Sequence, residues 1–558
     1  MKKFFLFFKR FFPTFEQWCA LRPSFFWAIV SACLLWLPFP PIEWGWIAFF
    51  GLAPFLAQLP GRTAKEGAWI GLIFGYFFFQ FNMLWLNTLV DVNPMAPFGI
   101  ALAALICATT TALFGGVVAW ASHRLSNNSM LFFAPALWVA IEYLRAQSEW
   151  AFPWMYLGHT QVNVLPLIQI CDITGVYGVS FLIALTNQTL ADAWRLRRGN
   201  LRGVYIQACI AAGLALLFVV YGQQRLKETP PPSTPYRVAI LQMGVPQKTK
   251  LASYDYSHPE TVKRIQEKIY RSIEAELQAI HADCTQRNGK QPALVVFPES
   301  AVTFPYFNIA PNLLHMTFDW ATTSAAPLFF GADRFDPAEG ITDKDDPRYF
   351  EEGKSHNSAY LVRPGEDLLA GYYDKMHLVP FGEYGSYLDI IPGFTNYILG
   401  IGNFEPGRNP RLFEAGGKKF GCGICFESCF PYLFRQYPEA DFVAVITNDA
   451  WYKLSSGARR HQTQAIFRAI EMRRPVVRAA NTGISCVIDP QGRVLASLPL
   501  DETKTGHIVF DLPLPNTTPG VTPYMRAWGD WLSWLCLLYC AARCCLVRRK
   551  PNEQEIHP

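Results

Sequence analysis

Three short stretches carry side chains that could act together on a carbonyl: Glu299 in LVVFPES (294–300), Lys375 in YDKMHLVPFGE (373–383) and Cys425 in GCGICFE (421–427). A cysteine nucleophile needs a base to take its proton and a positive group to hold the oxyanion that forms on attack. A carboxylate, an amine and a thiol at the ends of strands would supply those three roles. Taken singly, each has an ordinary explanation. A Cys at a strand end is commonly a small core residue, a Glu is commonly at the surface, and a Lys before a turn is commonly solvated.

Cys422-x-x-Cys425 with Cys429 could instead form a redox or metal motif. A zinc site would want a fourth ligand, and no second CxxC or close His pair supplies one. A thioredoxin-type pair would open a helix, whereas this one lies along a strand. No metal and no cofactor is therefore expected, and Cys422 and Cys429 read as core. Asn448, Asp449 and Asn481 could be catalytic or could be turn residues at the rim of a site.

Elements must deliver these groups to one place. Strands are expected at 237–242, 293–297, 328–331, 358–362, 420–425, 442–447, 485–489 and 508–511. Between the first two lies a helical stretch, 261–289, whose apolar residues Val262, Ile265, Ile269, Ile273, Leu277 and Ile280 step by three and four and mark one buried face. A second helix is expected at about 458–474. Strands alternating with helices point to an α/β or layered α-β-β-α domain.

This polar region is only part of the 558 residues, of which 51% are hydrophobic and 17% charged. Before it, the spans 23–42, 44–61, 67–90, 92–123, 173–191 and 203–224 run free or nearly free of charge, and 129–147 does so apart from Glu142 and Arg145. Each approaches the ~20 residues that cross a bilayer core. A last span, 527–547, follows the polar region. The expected organisation is a membrane domain of seven transmembrane helices (1–227), a catalytic domain (228–525) entered by the Pro-rich linker ETPPPSTP, and an eighth helix with a tail (526–558).

The opening MKKFFLFFKRFF has the charge order of a signal peptide but no small-residue cleavage site, so it reads as retained. Basic residues alternate between loops: Lys2, Lys3, Lys9, Arg10 and Arg22, then Arg62 and Lys65, then Arg124, then Arg195–Arg202, and finally Arg548, Arg549 and Lys550. That pattern puts both termini inside and the polar domain outside. The net charge of +5 follows from this topology, and no basic patch interleaved with aromatics points to nucleic acid. Glu142 and Arg145 are functional by default if deep in the membrane, or else pair with each other or meet head groups.

In this order, FPES, DKMHLVPFGEY and GICFE closely resemble the nitrilase superfamily. With ITNDAWY (446–452), RAIEMRRPVVRAANTGIS (468–485), ALWVAIEYLR (136–145) and FPWMYLGHTQ (152–161), nearly the whole chain resembles its membrane-bound branch, the apolipoprotein N-acyltransferases. The resemblance implies a multi-span helical membrane domain plus a nitrilase-type α-β-β-α sandwich. It implies Glu299 as base, Cys425 as nucleophile, and Lys375 with backbone N–H groups near Phe426 as oxyanion stabilisers. Glu383 and Glu427 then look like carboxylates that orient Lys375 and shape the site, and Asn448 like a residue at its rim.

The partners implied are a phospholipid acyl donor and a diacylated apolipoprotein acceptor, used by a monomer in the cell inner membrane with its catalytic domain facing the periplasm. Two stretches depart from the family pattern. Pro246-Gln247 is followed by Lys248–Leu251 without the usual Trp, and Lys453–Gly457 replaces a glycine-rich acidic stretch, with Gly457-Ala458 in place of Gly-Pro.

Overall fold

The computed structural model describes residues 14–125, 130–148, 151–196, 201–228, 233–254, 257–303, 306–366, 369–385, 404–517, 520–526 and 529–546. The opening basic segment, Arg197 and Arg198, residues 229–232 of the Pro-rich linker, residues 386–403 and the basic tail lie outside the described residues. The chain forms two compact units, one of 1–87, 95–226 and 528–558, the other of 88–94 and 227–527.

The first unit is helical. Helix α1 (Phe15–Leu34) opens with a capping box between Thr14 and Gln17, and α2 (Ala64–Asn82) with one between Thr63 and Glu66. They are followed by α3 (Ala96–Ser122), α4 (Phe133–Leu144), α5 (Val176–Leu196) and α6 (Arg202–Lys227), and the unit closes with Trp531–Cys545. Helices α2 and α3 touch through small residues: a methyl at Gly71 would run into the Thr111 carbonyl, so only glycine permits that approach.

Among the described residues, α3 and α6 are each long and apolar enough to cross a membrane, with 27 and 26 residues. Two further candidates are bent pairs, Ala64–Asn82 with Leu84–Asp91 at 55° and Leu165–Thr174 with Val176–Leu196 at 118°. The charge-free runs therefore do not all map onto one straight helix each. Run 44–61 is three short turns, Gly45–Ile47, Ala48–Gly51 and Ala53–Leu56, where Gly51 and Pro54 interrupt regular helix. Run 129–147 yields only the 12 residues of α4.

Glu142 and Arg145 turn inward in this unit. Glu142 is 3% exposed, and its Oε1 accepts from Trp138 Nε1 at 3.0 Å and from the Leu157 amide at 2.8 Å. Arg145 donates to the Trp154 carbonyl at 3.0 Å and lies over the rings of Phe79 and Tyr156. Both charges thus tie the loop at 154–157 to α4.

The second unit is built on two six-stranded sheets. The first holds β1 (Ser233–Gln242), β2 (Leu294–Val296), β3 (Leu328–Asp336), β4 (Lys354–Val362) and β5 (Gly371–Asp374); the second holds β6 (Phe413–Ala415), β7 (Lys418–Ile424), β8 (Phe442–Thr447), β9 (Val476–Ala480), β10 (Cys486–Ile488) and β11 (Val494–Ser497). The last strand, β12 (Gly506–Pro515), returns to the first sheet, giving the orders β12-β1-β2-β3-β4-β5 and β11-β10-β9-β8-β7-β6. The strands β1, β2 and β3 run parallel, as do β7, β8 and β9, and the flanking strands are antiparallel.

Side chains of both sheets meet in one buried core, with Val238, Ile240, Val296 and Phe329 from the first and Phe420, Ile424, Phe442 and Ile446 from the second. On the outer side of the first sheet lie α7 (Pro259–Arg287) and α8 (Pro311–Ser324); Ile269, Ile273, Leu277 and Phe318 pack there with Leu241, Val295 and Phe330. Helix α9 (Gly457–Met472) packs on the second sheet through β9 and β10. This is the α-β-β-α layering expected from the alternation of helices and strands.

The eight expected strands are present, but β5, β6, β9 and β11 were not legible in sequence. β5, β6 and β11 are short and partly exposed, so no apolar run marks them, and β9 interrupts its apolar run with Arg478. Strand β1 also starts at Ser233, inside the stretch expected to be linker; its pairing with β12 from Ser233↔Pro515 onward supplies the reason.

Candidate active site

The chemistry-bearing residues follow the carboxyl ends of β2, β5, β7 and β8, where open α/β sheets commonly present functional groups. Glu299 sits three residues beyond β2 and is 5% exposed. Its Oε1 accepts from Asn357 Nδ2 at 2.8 Å, and its Oε2 from the Asn448 amide at 2.8 Å. Lys375, directly after β5 and 1% exposed, places Nζ 2.7 Å from Glu383 Oε1 and 3.5 Å from Glu299 Oε1. Burial opposes its charge, but the carboxylates of Glu383 and Glu299 outweigh that and hold the ammonium above its ordinary range.

Cys425 follows β7 with a φ of +51°, a conformation sparsely used by residues other than glycine. Ser300 at +46° and Phe381 at +61° share that feature, so three turns around the site are held in costly backbone states. Burial, and next the charge of Glu299, push the Cys425 thiol well up; Lys375 pulls the other way. The resting group is a neutral thiol, so its proton must leave as the sulfur attacks.

Glu427 is fully buried, and the Lys375 charge acts on it. Its Oε1 accepts from Tyr373 Oη at 2.8 Å and from the amides of Met376 and His377 at 2.7 and 3.1 Å, while Oε2 accepts from the Ile424 amide at 2.7 Å. It therefore ties the Lys375 loop to the Cys425 turn through main chain. Burial pushes its carboxyl up to about 7 against the pull of those donors. Phe426 packs edge-on to Phe430 and beside His377. Asn448 contributes its amide to Glu299 and its side chain to Gln247 and Asn481, at 3.0 and 2.9 Å.

Four participants were not singled out from sequence. Asn357, in mid-β4, gives both amide hydrogens to carboxylates, Glu299 at 2.8 Å and Glu383 at 2.9 Å; only its polar character inside a buried strand could have flagged it. His461 on α9 sets Nε2 3.0 Å from the Cys425 carbonyl and Nδ1 2.8 Å from Asp449 Oδ1. Arg478 donates to Asp449 Oδ2 at 2.7 Å. Burial would raise Asp449, yet Arg478 and His461 hold it well below the usual carboxylate range, so Asp449 stays charged and the buried set braces the nucleophile turn. Lys250 donates to the Glu299 carbonyl at 3.0 Å.

Cys422 faces the core between the sheets, and Cys429 lies buried beyond the Cys425 turn; burial raises both thiols. The two stretches that depart from the family pattern converge on one carboxylate, Asp91: Lys453 pairs with it, and Lys248 lies 4.0 Å away. Thr88 of the same segment donates to the Trp451 carbonyl at 3.0 Å.

The apolipoprotein N-acyltransferase N-terminal domain matches residues 31–189, and the carbon-nitrogen hydrolase domain matches residues 237–519. An apolipoprotein N-acyltransferase of Geobacter metallireducens is 33% identical over 540 residues, 95% of this chain and 96% of that one. This chain belongs to the apolipoprotein N-acyltransferase family. A second member, from Methylococcus capsulatus, is 27% identical over 95% of this chain and 97% of its own. Among solved structures, an amidase of the nitrilase superfamily from Nesterenkonia AN1 is 17% identical, with 51% of this chain and 92% of that chain covered at a TM-score of 0.34. As a member of the family, the protein is a membrane acyltransferase with a nitrilase-type catalytic fold.

Proposed function

We propose that the protein transfers an acyl chain from a phospholipid, through a thioester on Cys425, to the free α-amine of the N-terminal diacylglyceryl-cysteine of a lipoprotein. The observation that carries this reading is the placement of Glu299 and Lys375 around a buried, neutral Cys425, each just beyond the carboxyl end of its strand, β2, β5 and β7. Glu299 takes the thiol proton as sulfur bonds to the ester carbonyl carbon. Negative charge moves to the carbonyl oxygen, where Lys375 and main-chain N–H groups near Phe426 stabilise it. Collapse breaks the ester C–O bond, and the lysophospholipid leaves with the proton held by Glu299. The lipoprotein amine then attacks the thioester, Glu299 takes a proton from nitrogen, and Cys425 departs as the thiol.

Glu383 and Asn357 fix Lys375 and Glu299 relative to each other in this scheme. The two half-reactions form a ping-pong cycle, and both substrates are held by a bilayer, which supports the reading of a multi-pass protein of the inner membrane. The alternation of basic loops supports a catalytic unit on the periplasmic side, and a monomer is proposed as the acting form.

The discharge step tests the acceptor. Acylated enzyme mixed with a synthetic diacylated lipopeptide is expected to lose the acyl group and yield an N-acyl amide, read by mass spectrometry. Release of free fatty acid alone would replace this reading with a hydrolase.

A further inference from the structure

The proposed reaction leaves one buried cation of the site unused. Lys250 is 4% exposed and lies on the short helix Gln247–Ala252, in the stretch that departs from the family pattern. That helix is fixed from two directions. Val245, just ahead of it, exchanges hydrogen bonds with Asn481, with its amide donating to Oδ1 at 3.1 Å and its carbonyl accepting from Nδ2 at 2.8 Å. Gln247 accepts from Asn448, the same residue whose amide binds Glu299.

From this support Lys250 Nζ reaches the Glu299 carbonyl at 3.0 Å. Strand β3 also closes on that main chain: a Cβ on Gly331 would lie 2.7 Å from Glu299 Cα, so only glycine fits. The groups acting on the ammonium are Glu299, Asp333 and Cys425; Lys375 and Glu383 complete the buried set around them. Burial draws the Lys250 ammonium down to about 8, with Glu299 and Asp333 opposing, so it still carries charge at neutral pH. Without it, the carboxyl groups of Glu299, Glu383 and Asp333, the last pushed up to about 7 by burial, and a forming thiolate would face Lys375 and an Arg478 already paired with Asp449. At short range in a poorly solvated site that imbalance is costly.

We propose that Lys250 is a second cation of this site, a positioning residue that holds the Glu299 main chain and stabilises negative charge on Cys425 as the thiol loses its proton. The proposal rests on the reading of Cys425 as nucleophile and Glu299 as its base, and deepens it.

Alkylation of Cys425 by iodoacetamide tests it, because that reaction needs the thiolate but no phospholipid. The full-length protein in detergent is alkylated at about pH 7, where Lys250 is charged, and the Cys425 peptide is quantified over time by mass spectrometry. Lys250→Met is expected to slow alkylation by about tenfold, the scale set by loss of one nearby charge, and Lys250→Arg to restore the rate. Lys250→Gln serves as the neutral variant if the Met form does not fold, with folding checked by thermal melting. A folded neutral variant alkylated at the wild-type rate, or an Arg variant slowed as much as the neutral one, overturns the proposal. Wild-type protein that alkylates normally but never accepts an acyl group from phospholipid would instead count against the transfer reaction and leave the role of Lys250 to the alkylation rates.

Discussion

Glu142 in the helical unit and Glu299 in the sheet unit are both buried carboxylates that accept a main-chain amide at 2.8 Å, yet their surroundings differ. Glu142 takes hydrogen bonds from an indole and an amide, with the Arg145 guanidinium nearby, and staples a loop to its own helix. Glu299 shares its space with a Lys ammonium, an Asn amide that also serves Glu383, and a thiol. A buried carboxylate that anchors a loop through neutral donors holds structure, whereas one set beside an ammonium and a thiol is poised to exchange a proton. Burial alone does not separate the two; the company each carboxylate keeps does.

The sharpest way to break that contrast is to neutralise both. Glu299→Gln and Lys375→Met are expected to slow thioester formation by about a thousandfold or more, as loss of a base or of an oxyanion donor does. Glu142→Gln should leave the single-turnover acylation rate within about threefold, the scale of RT ln 3 or ~0.7 kcal/mol. Rates are read by intact-mass spectrometry on folded protein. A collapse of acylation in Glu142→Gln would erase the distinction.

Asn357→Ala comes next. It removes two hydrogen bonds to charged groups, each worth ~1.5–3 kcal/mol, and a loss of about 10–100-fold in acylation is expected with little change in thermal stability. The reverse profile belongs to Glu142→Ala, which leaves the Leu157 amide and the Trp138 indole without their acceptor. It should lower stability by about 1–3 kcal/mol, read as a drop in the thermal midpoint by tryptophan fluorescence, and leave the acylation rate of the surviving folded protein nearly unchanged. The smallest effect is expected for Cys422→Ala, a core truncation costing about 1 kcal/mol, with labelling of Cys425 intact.

The same contrast explains what was legible beforehand. Glu299, Lys375 and Cys425 stood out because each ends a strand inside a specific string of neighbours, and the two long helices because their apolar residues step regularly. Asn357 was invisible: a polar residue in mid-strand looks like an outward-facing position until the partner strand and Glu383 are placed around it. His461 and Arg478 act only once α9 and β9 bring them to Asp449, which no local spacing reveals. Lys250 was noted only as part of a stretch lacking an aromatic, since its reach to the Glu299 carbonyl depends on tertiary support from Asn448 and Asn481. Glu427 was expected to orient Lys375 and shape the site; its grip on the Met376 and His377 amides comes from the fold of the loop after β5. Charge-free runs mark apolar stretches well but not where Gly51 or Pro54 divides them.

The account turns on one bond. Purified protein incubated with phospholipid and digested for mass spectrometry should carry an acyl group on Cys425, labile to neutral hydroxylamine and missing in Cys425→Ala. Folded wild-type protein that takes no acyl group, or takes it on another residue while Cys425→Ala still labels, would contradict it.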